Sequence, residues 1–179
     1  MNRTIVVLVA AALISAPATA RTRAGTELQN YRIAARIASD HLKTFDTLDF
    51  DVFSNQRWDR LQESHATDVV VHWPDGHVTR GIERHIEDLK YMFTYAPDTR
   101  IKVHPIRVGT DDWSAVVGVM EGTFTRAMTT PDGKVIQPTG KAFKIPMATV
   151  GHWNKQGTMS EEYLFWDNQT YMRELGLAN

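Results

Sequence analysis

The chain has 179 residues, of which 42 % are hydrophobic and 23 % charged, which suits one globular domain and excludes a disordered chain, a collagen-like fibre and a coiled coil. Lys and Arg number 20 against 21 Asp and Glu, so the net charge of −1 makes nucleic acid and anionic lipid unfavourable partners. The absence of cysteine excludes disulfides, thiolate metal sites and cysteine nucleophiles.

The first twenty residues have the pattern of a signal peptide. Arg3 supplies a positive charge, residues 5–14 are uninterrupted apolar residues, and Ala18-Thr19-Ala20 offers the small residues that a signal peptidase accepts. This apolar run is too short to cross a bilayer as a helix, although an uncleaved anchor is the alternative. We therefore expect a signal peptide over residues 1–20 and a single domain over residues 21–179. The protein would be exported, periplasmic or secreted, after cleavage near Ala20, with no stable membrane anchor.

The first half of the domain is predicted to be mostly helical. A second, short helix is expected around Trp58 and Leu61, and a third begins at Ile82 and ends before Pro97. Residues 69–73 alternate in polarity before a Pro-Asp-Gly turn, which predicts a strand between these two helices. The first helix is indicated by apolar residues at steps of three and four, namely Leu28, Tyr31, Ala35, Ala38, Leu42 and Phe45.

The second half predicts a succession of strands. Apolar and polar residues alternate over residues 101–108, 113–126, 141–153 and 158–167, with turn residues between these segments. Residues 126–140 are expected to form a loop or a small hairpin. A final helix, over about residues 168–175, ends at Gly176. Helices followed by antiparallel strands favour an α+β fold in which helices cover one face of a curved sheet.

Six short segments occur in an order that resembles a known family. They are Val69-Val70-Val71-His72-Trp73-Pro74-Asp75-Gly76, Ala96-Pro97-Asp98, Glu121-Gly122-Thr123-Phe124, Pro138-Thr139-Gly140-Lys141, Glu161-Glu162-Tyr163-Leu164-Phe165-Trp166-Asp167 and Glu174-Leu175-Gly176. Together they resemble the SnoaL-like polyketide cyclase family of the NTF2-like superfamily, over about residues 30–177. The resemblance implies an NTF2-like cone, in which a curved antiparallel sheet wraps around N-terminal helices and leaves a deep apolar cavity.

The resemblance also implies a chemistry. Known members close a polyketide ring by intramolecular aldol condensation, with no metal or other cofactor and with one Asp as acid and base. The matching residue here is Asp167, and His152 on the preceding strand matches its companion. Strand alternation places Tyr163 and Phe165 on the same face as Asp167, so in a cavity its carboxylate would be desolvated and its pKa raised. The alternative role of Asp167 is to cap the final helix.

Further site residues are expected near the Pro-Asp-Gly turn. His72 and Trp73 end the strand before it, and we include them with Tyr163 and Phe165 among the substrate-binding candidates. The spacing of His72, Asp75 and His77 matches no common ligand pattern, and the sequence has no His-Glu-x-x-His. No metal site and no cofactor are therefore expected.

Leu164 and Trp166 form an apolar strip on the other face of the last strand. Such a strip is expected either to join two subunits in a homodimer or to be covered by the C-terminal helix.

Two functions remain open. One is an enzyme doing cofactor-free acid/base chemistry, aldol cyclisation or a related proton transfer, on a hydrophobic carbonyl-containing small molecule. The alternative is an exported, non-catalytic protein that binds such a molecule in the same cavity.

Overall fold

The computed structural model describes residues 18–130 and 132–178. The chain forms two compact units, residues 1–33 and residues 34–179. Within the first unit the described residues are helical, because helix α1 spans Ala18–Thr47. Most of the predicted signal peptide lies outside the described residues, and its export and cleavage stay predictions. Among the described residues, no helix is long and apolar enough to span a membrane.

The second unit contains the end of α1 and all other elements. A π-helical turn, Leu48–Phe53, continues α1, and a 3-10 segment, Trp58–Glu63, follows. The remaining helices are α2, Ile82–Tyr95, and α3, Asn168–Glu174. The strands are β1 His65–His72, β2 Val78–Arg80, β3 Arg100–Ile101, β4 Ile106–Thr110, β5 Trp113–Thr123, β6 Met128–Thr129, β7 Val135–Ile136, β8 Ala142–Trp153 and β9 Met159–Phe165.

Seven of the strands form one curved sheet in the order β2-β1-β9-β8-β5-β3, with β4 also paired to β5. The longest pairing is antiparallel, between β5 and β8, from Trp113 opposite His152 to Thr123 opposite Ala142. Strands β6 and β7 form the small hairpin that was one of the two expectations for residues 126–140. The α+β class and the curved, largely antiparallel sheet are confirmed. The pairing of β1 with β9 is parallel, which the sequence did not predict.

The predicted stripe on α1 is buried only at its C-terminal end. Ala38 and Phe45 are buried, and Leu42 is partly buried against the core cluster that contains Phe45. Leu28 and Tyr31, in the first unit, are exposed. A helical period therefore predicted the helix correctly, while packing decided how far along it the buried face extends.

Burial distinguishes the two faces of the sheet. On β8 the residues Phe143, Ile145 and Met147 are buried, and their neighbours along the strand are more exposed. On β9 the inner residues are Glu162 and Leu164. The inner face of the last strand is therefore the face that carries Glu162, and the face that carries Tyr163 and Phe165 is the outer one.

This arrangement corrects the expected dimer contact. Leu164 is buried and packs with Val69 and Val71 of β1 in the same chain, with Trp166 and Trp73 against the cluster. The apolar strip is thus part of the interior, because it packs with apolar residues of the neighbouring strand β1 and with Ile82 of α2 in the same chain. The homodimer itself stays a prediction.

Gly122, on the inner face of β5, has no space for a side chain. A Cβ there would lie 2.8 Å from Cζ of Phe143 and 3.0 Å from Oγ1 of Thr99. We expect Gly122→Ala to lower the free energy of unfolding by about 1–3 kcal/mol, because overpacking strains a close-packed core. Urea denaturation measures this. Gly25→Ala in α1 is the control, since a Cβ there meets nothing within 4 Å, and it should not destabilise. Equal stability of the two variants would contradict the prediction.

Candidate functional site

The π-helical turn at the end of α1 turns a carboxylate inward. Leu48, Asp49, Val52 and Phe53 are all buried, and the Ser54 backbone N–H donates to the Asp49 carbonyl oxygen at 3.3 Å. This five-residue spacing is that of a π-helix, which occurs mostly as single turns and often at functional sites. The wider turn brings Asp49 to the interior beside its apolar neighbours.

His104 connects Asp49 to a second carboxylate. Its Nε2 lies 2.7 Å from Oδ2 of Asp49, and its Nδ1 lies 2.8 Å from Oδ1 of Asp46. Burial opposes the charged imidazole, but hydrogen bonds and the charges of both carboxylates outweigh it and raise the pKa of His104. Asp46 also forms an ion pair with Arg107. His104 therefore holds the Asp49 carboxylate in place through the hydrogen bond of its Nε2.

Burial raises the pKa of the Asp49 carboxyl above its usual value. The hydrogen bond and charge of His104 oppose this rise, and the negative charge of Glu162 adds to it. A carboxylate with a raised pKa is a stronger base than an exposed one, which suits it to accept a proton from a substrate.

A second group of buried ionisable side chains includes Glu162. Nε2 of His65 lies 3.4 Å from Oε2 of Glu162, and Nε2 of His85 lies 3.5 Å from the same oxygen. Burial lowers the pKa of His85 to about 4, so this imidazole is neutral at pH 7. Burial would raise the pKa of Glu162, but the hydrogen bond with His65 and the electrostatic interactions with both histidines outweigh it and lower that pKa.

Both groups line one internal cavity of about 40 Å³, since Asp49, His65, His85 and Glu162 all contribute to its wall. A space of this size holds a few water molecules rather than a polyketide. The deep cavity that the resemblance implies is therefore largely filled. The filling side chains are Phe53, Trp73, Met92, Met120, Met147 and Trp166. Methionine side chains adapt readily, so a ligand could enter by displacing them.

The structure places Asp167 outside this cavity. Its Oδ1 accepts hydrogen bonds from the backbone N–H groups of Gln169 and Thr170, at 2.9 and 3.1 Å, and its Oδ2 accepts one from the Thr170 hydroxyl. These bonds lower its pKa, contrary to the expected rise. Asp167 therefore caps α3, the alternative that the sequence analysis left open.

Four more predicted site residues lie on the outer face of the sheet. Tyr163 stacks on His72 with ring centres 4.3 Å apart, and Phe165 is 52 % exposed. His152 stacks on Trp113 and lines a separate surface groove. The alternation of side chains along the strand correctly predicted that Tyr163 and Phe165 share a face. That face is the outer face of the sheet rather than the wall of the cavity.

Trp73 is the predicted site residue that does line the cavity. Its indole N–H donates to the Thr79 hydroxyl at 2.8 Å, which fixes the ring. The residues selected from the sequence do not include His65, His85 or His104, yet each of these side chains is at most 2 % exposed. One available indication was Asp49 itself, an acid directly flanked by the apolar residues Leu48 and Phe50.

The comparisons with known families agree with this geometry. The model of the family described as SnoaL-like polyketide cyclase matches residues 45–175, which include both buried groups. The chain belongs to the SnoaL-like polyketide cyclase family. A comparison with curated proteins gives no match.

Solved structures of this family and its superfamily share the fold. A protein described as a SnoaL-like polyketide cyclase, from Jannaschia sp. CCS1, is 18 % identical and has a TM-score of 0.68, over 80 % of this chain and 96 % of its own. IdmH from Streptomyces antibioticus, described as a polyketide cyclase, is 23 % identical with a TM-score of 0.63, over 76 % and 98 % of the two chains. A ketosteroid isomerase-like protein from Catenulispora acidiphila, 13 % identical, has a TM-score of 0.60, over 76 % and 92 %. These similarities support the NTF2-like fold.

The capping role of Asp167 has a measurable pH dependence. Its lowered pKa means that the ionised side chain stabilises the fold above the usual pKa of 3.8 and that this stabilisation is lost as pH falls through the lower, folded-state value. At pH 7 we expect Asp167→Ala to lower the melting temperature by about 2–4 °C, and Asp167→Asn to lower it less, because Asn also caps helices. Thermal unfolding followed by circular dichroism at pH 7 and pH 2.5 tests this. A loss in Asp167→Ala that persists unchanged at pH 2.5 would contradict it.

Proposed function

We propose that the protein catalyses proton transfer at the carbon next to a carbonyl group in a hydrophobic small molecule, as in aldol cyclisation or isomerisation. The observation that carries the proposal is the buried carboxylate of Asp49 at the wall of an apolar cavity, held there by His104. Membership of a polyketide cyclase family supports a cyclase or isomerase type of activity. The catalytic base is thus Asp49 rather than Asp167.

The proposed reaction begins with removal of a proton from the α-carbon by the Asp49 carboxylate. The electron pair of the broken C–H bond forms a C=C bond, and the carbonyl oxygen becomes an enolate oxygen. His85 is neutral, and a neutral imidazole N–H can donate a hydrogen bond to such an oxygen. In a cyclisation the enolate carbon then forms a C–C bond to a second carbonyl carbon, and the resulting alkoxide takes the proton back from Asp49.

His104 and Asp46 act on this chemistry through Asp49. The 2.7 Å hydrogen bond from His104 fixes one oxygen of the Asp49 carboxylate, and the 2.8 Å contact with Asp46 fixes the ring of His104. A base held in one orientation loses little entropy in the transition state, which is the usual role of such supporting contacts. We assign His104 as a positioning residue.

The alternative function is binding of a hydrophobic small molecule without turnover. The methionine-rich wall of the cavity favours it, because Met92, Met120 and Met147 can adapt to the shape of a ligand and enclose it. Native mass spectrometry of protein purified from its source would detect a retained ligand.

Replacement of Asp49 tests the proposed base. We expect Asp49→Asn to slow hydrogen–deuterium exchange at the α-carbon of ethyl acetoacetate, followed by NMR in D₂O, by roughly a hundredfold or more. Asp167→Asn is the matched control, since it also removes one carboxylate but from outside the cavity, and it should leave exchange unchanged. Equal exchange rates for the wild type and Asp49→Asn would rule out Asp49 as the base.

The pH profile of the wild type tests the same assignment without a substitution. Asp49 acts as a base only when ionised, so the rate should rise with pH through an apparent pKa above 3.8. The ionisable groups that influence this pKa are His104, Glu162 and His65. A wild type that catalyses no exchange and retains a ligand from its source would favour the binding function.

We also propose that the homodimer forms through the outer face of the sheet. Phe165 is 52 % exposed there, and its surroundings include the apolar residues Val117, Pro146 and Ala148. A charge placed in a subunit interface is unpaired and desolvated, which is strongly unfavourable. Phe165→Glu should therefore convert the dimer to a monomer in sedimentation experiments. Val135→Glu, at an exposed site on β7, is the control. A wild type that sediments as a monomer at all micromolar concentrations would contradict this proposal.

A further inference from the structure

Three side chains with metal-binding atoms converge on the cavity from three separate elements. His65 begins β1, His85 lies on α2, and Glu162 lies on the inner face of β9. Their exposed fractions are 2 %, 2 % and 4 %. One ring nitrogen of each histidine and one carboxylate oxygen lie within 4.8 Å of one another.

The spacing of these atoms suits ligands of one ion better than strong hydrogen bonds. The two histidine nitrogens lie 3.4 and 3.5 Å from Oε2 of Glu162. Charge-assisted hydrogen bonds are about 2.7–2.9 Å long, and His104 makes such a bond, 2.7 Å, to Asp49 in the same protein. Metal–ligand bonds of about 2.0–2.1 Å in a tetrahedral site separate neighbouring ligand atoms by about 3.3–3.4 Å.

The hydrogen bonds of Ser64 leave His65 ready to coordinate. The Ser64 hydroxyl donates to the Leu61 carbonyl oxygen at 3.1 Å, so its oxygen is left to accept from Nδ1 of His65 at 2.9 Å. A ring proton on Nδ1 would leave a lone pair on Nε2, which is the form in which an imidazole coordinates a metal ion. A cation between Nε2 and Oε2 of Glu162 would replace the hydrogen bond that joins these two atoms.

His85 provides an independent observation. Its Nδ1 is buried and has no hydrogen-bond partner among the described residues. Burial of a polar ring is costly unless some of its polar atoms are satisfied. Coordination through Nε2, the atom that faces Glu162, would satisfy the other ring nitrogen, and Nδ1 would then carry the ring proton.

We propose that His65, His85 and Glu162 bind one divalent first-row transition-metal ion of the Zn²⁺ or Fe²⁺ class. Two imidazoles and one carboxylate are ligands that these ions accept. The adjoining cavity leaves at least one coordination position for water or for a substrate oxygen.

The proposal departs from the sequence-based expectation of no metal. Its catalytic meaning rests on the proposed function, since an ion bound by His85 would replace the His85 N–H as the group that polarises the substrate's carbonyl oxygen. Asp49 is outside the ligand set and keeps its role as base. Metal binding is measured without turnover, so failure of the metal site and failure of the catalytic proposal are distinguishable.

Titration of untagged, chelator-treated protein with Zn²⁺ tests the proposal by calorimetry, and Co²⁺ reports the coordination geometry by its visible absorption. We expect one ion per chain and a Co²⁺ spectrum of four or five coordination. Glu162→Gln and His85→Gln should each weaken binding by at least about a hundredfold, the upper end of the effect of losing an outer-shell partner.

The matched control is His72→Gln. His72 pairs with Glu161 at 2.8 Å on the outer face of the same two strands. The substitution therefore removes a similar histidine that lies outside the cavity, and it should leave Zn²⁺ binding unchanged. Should the cavity variants misfold, NMR of ¹⁵N-histidine-labelled wild type replaces them, and one equivalent of Zn²⁺ should shift the ring nitrogens of His65 and His85. Absence of saturable binding, equal weakening by His72→Gln, or shifts confined to other histidines would overturn the proposal.

Discussion

The structure depends on keeping ionisable side chains inside an apolar interior. A buried charge without a partner costs several kcal/mol, so each buried carboxylate requires a cationic or hydrogen-bonding neighbour. Asp49 has His104, and Glu162 has His65 and His85. These partners come from α2, from β1 and from the segment before β4, so the fold must bring distant parts of the chain together before any of these charges is tolerated.

The two faces of β1 and β9 show how environment changes the same chemistry. On the outer face His72 and Glu161 pair at 2.8 Å with about a third of each side chain exposed, and solvent screens their interaction. On the inner face His65 and Glu162 are nearly fully buried. The outer pair contributes little to the stability of the fold. The inner pair lies in a buried electrostatic environment of the kind found in functional sites.

The chemical argument that the sequence suggested for Asp167 applies to Asp49. A carboxylate in an apolar cavity has a raised pKa and can move protons, and a nearby histidine orients it. The cavity carboxylate comes from a π-helical turn, which sequence periodicity does not distinguish from an α-helix. The chemistry that we propose was therefore predictable from the sequence, while the residue that we propose as the base depends on the local geometry of one helix end.

The sequence by itself determined the helices, the strands, the turns and the resemblance to the family, since these follow from periodicity and from contacts between near neighbours. The cap at Asp167 is of this kind, because its partners Gln169 and Thr170 are adjacent in the chain. Only the tertiary structure decided which face of β9 is internal. Both faces of that strand carry apolar residues, so alternation is symmetric, and the packing of β1 and the adjacent core against Leu164 makes the choice. The meetings of Asp49 with His104 and of Glu162 with His85 likewise depend on packing between residues that are distant along the chain.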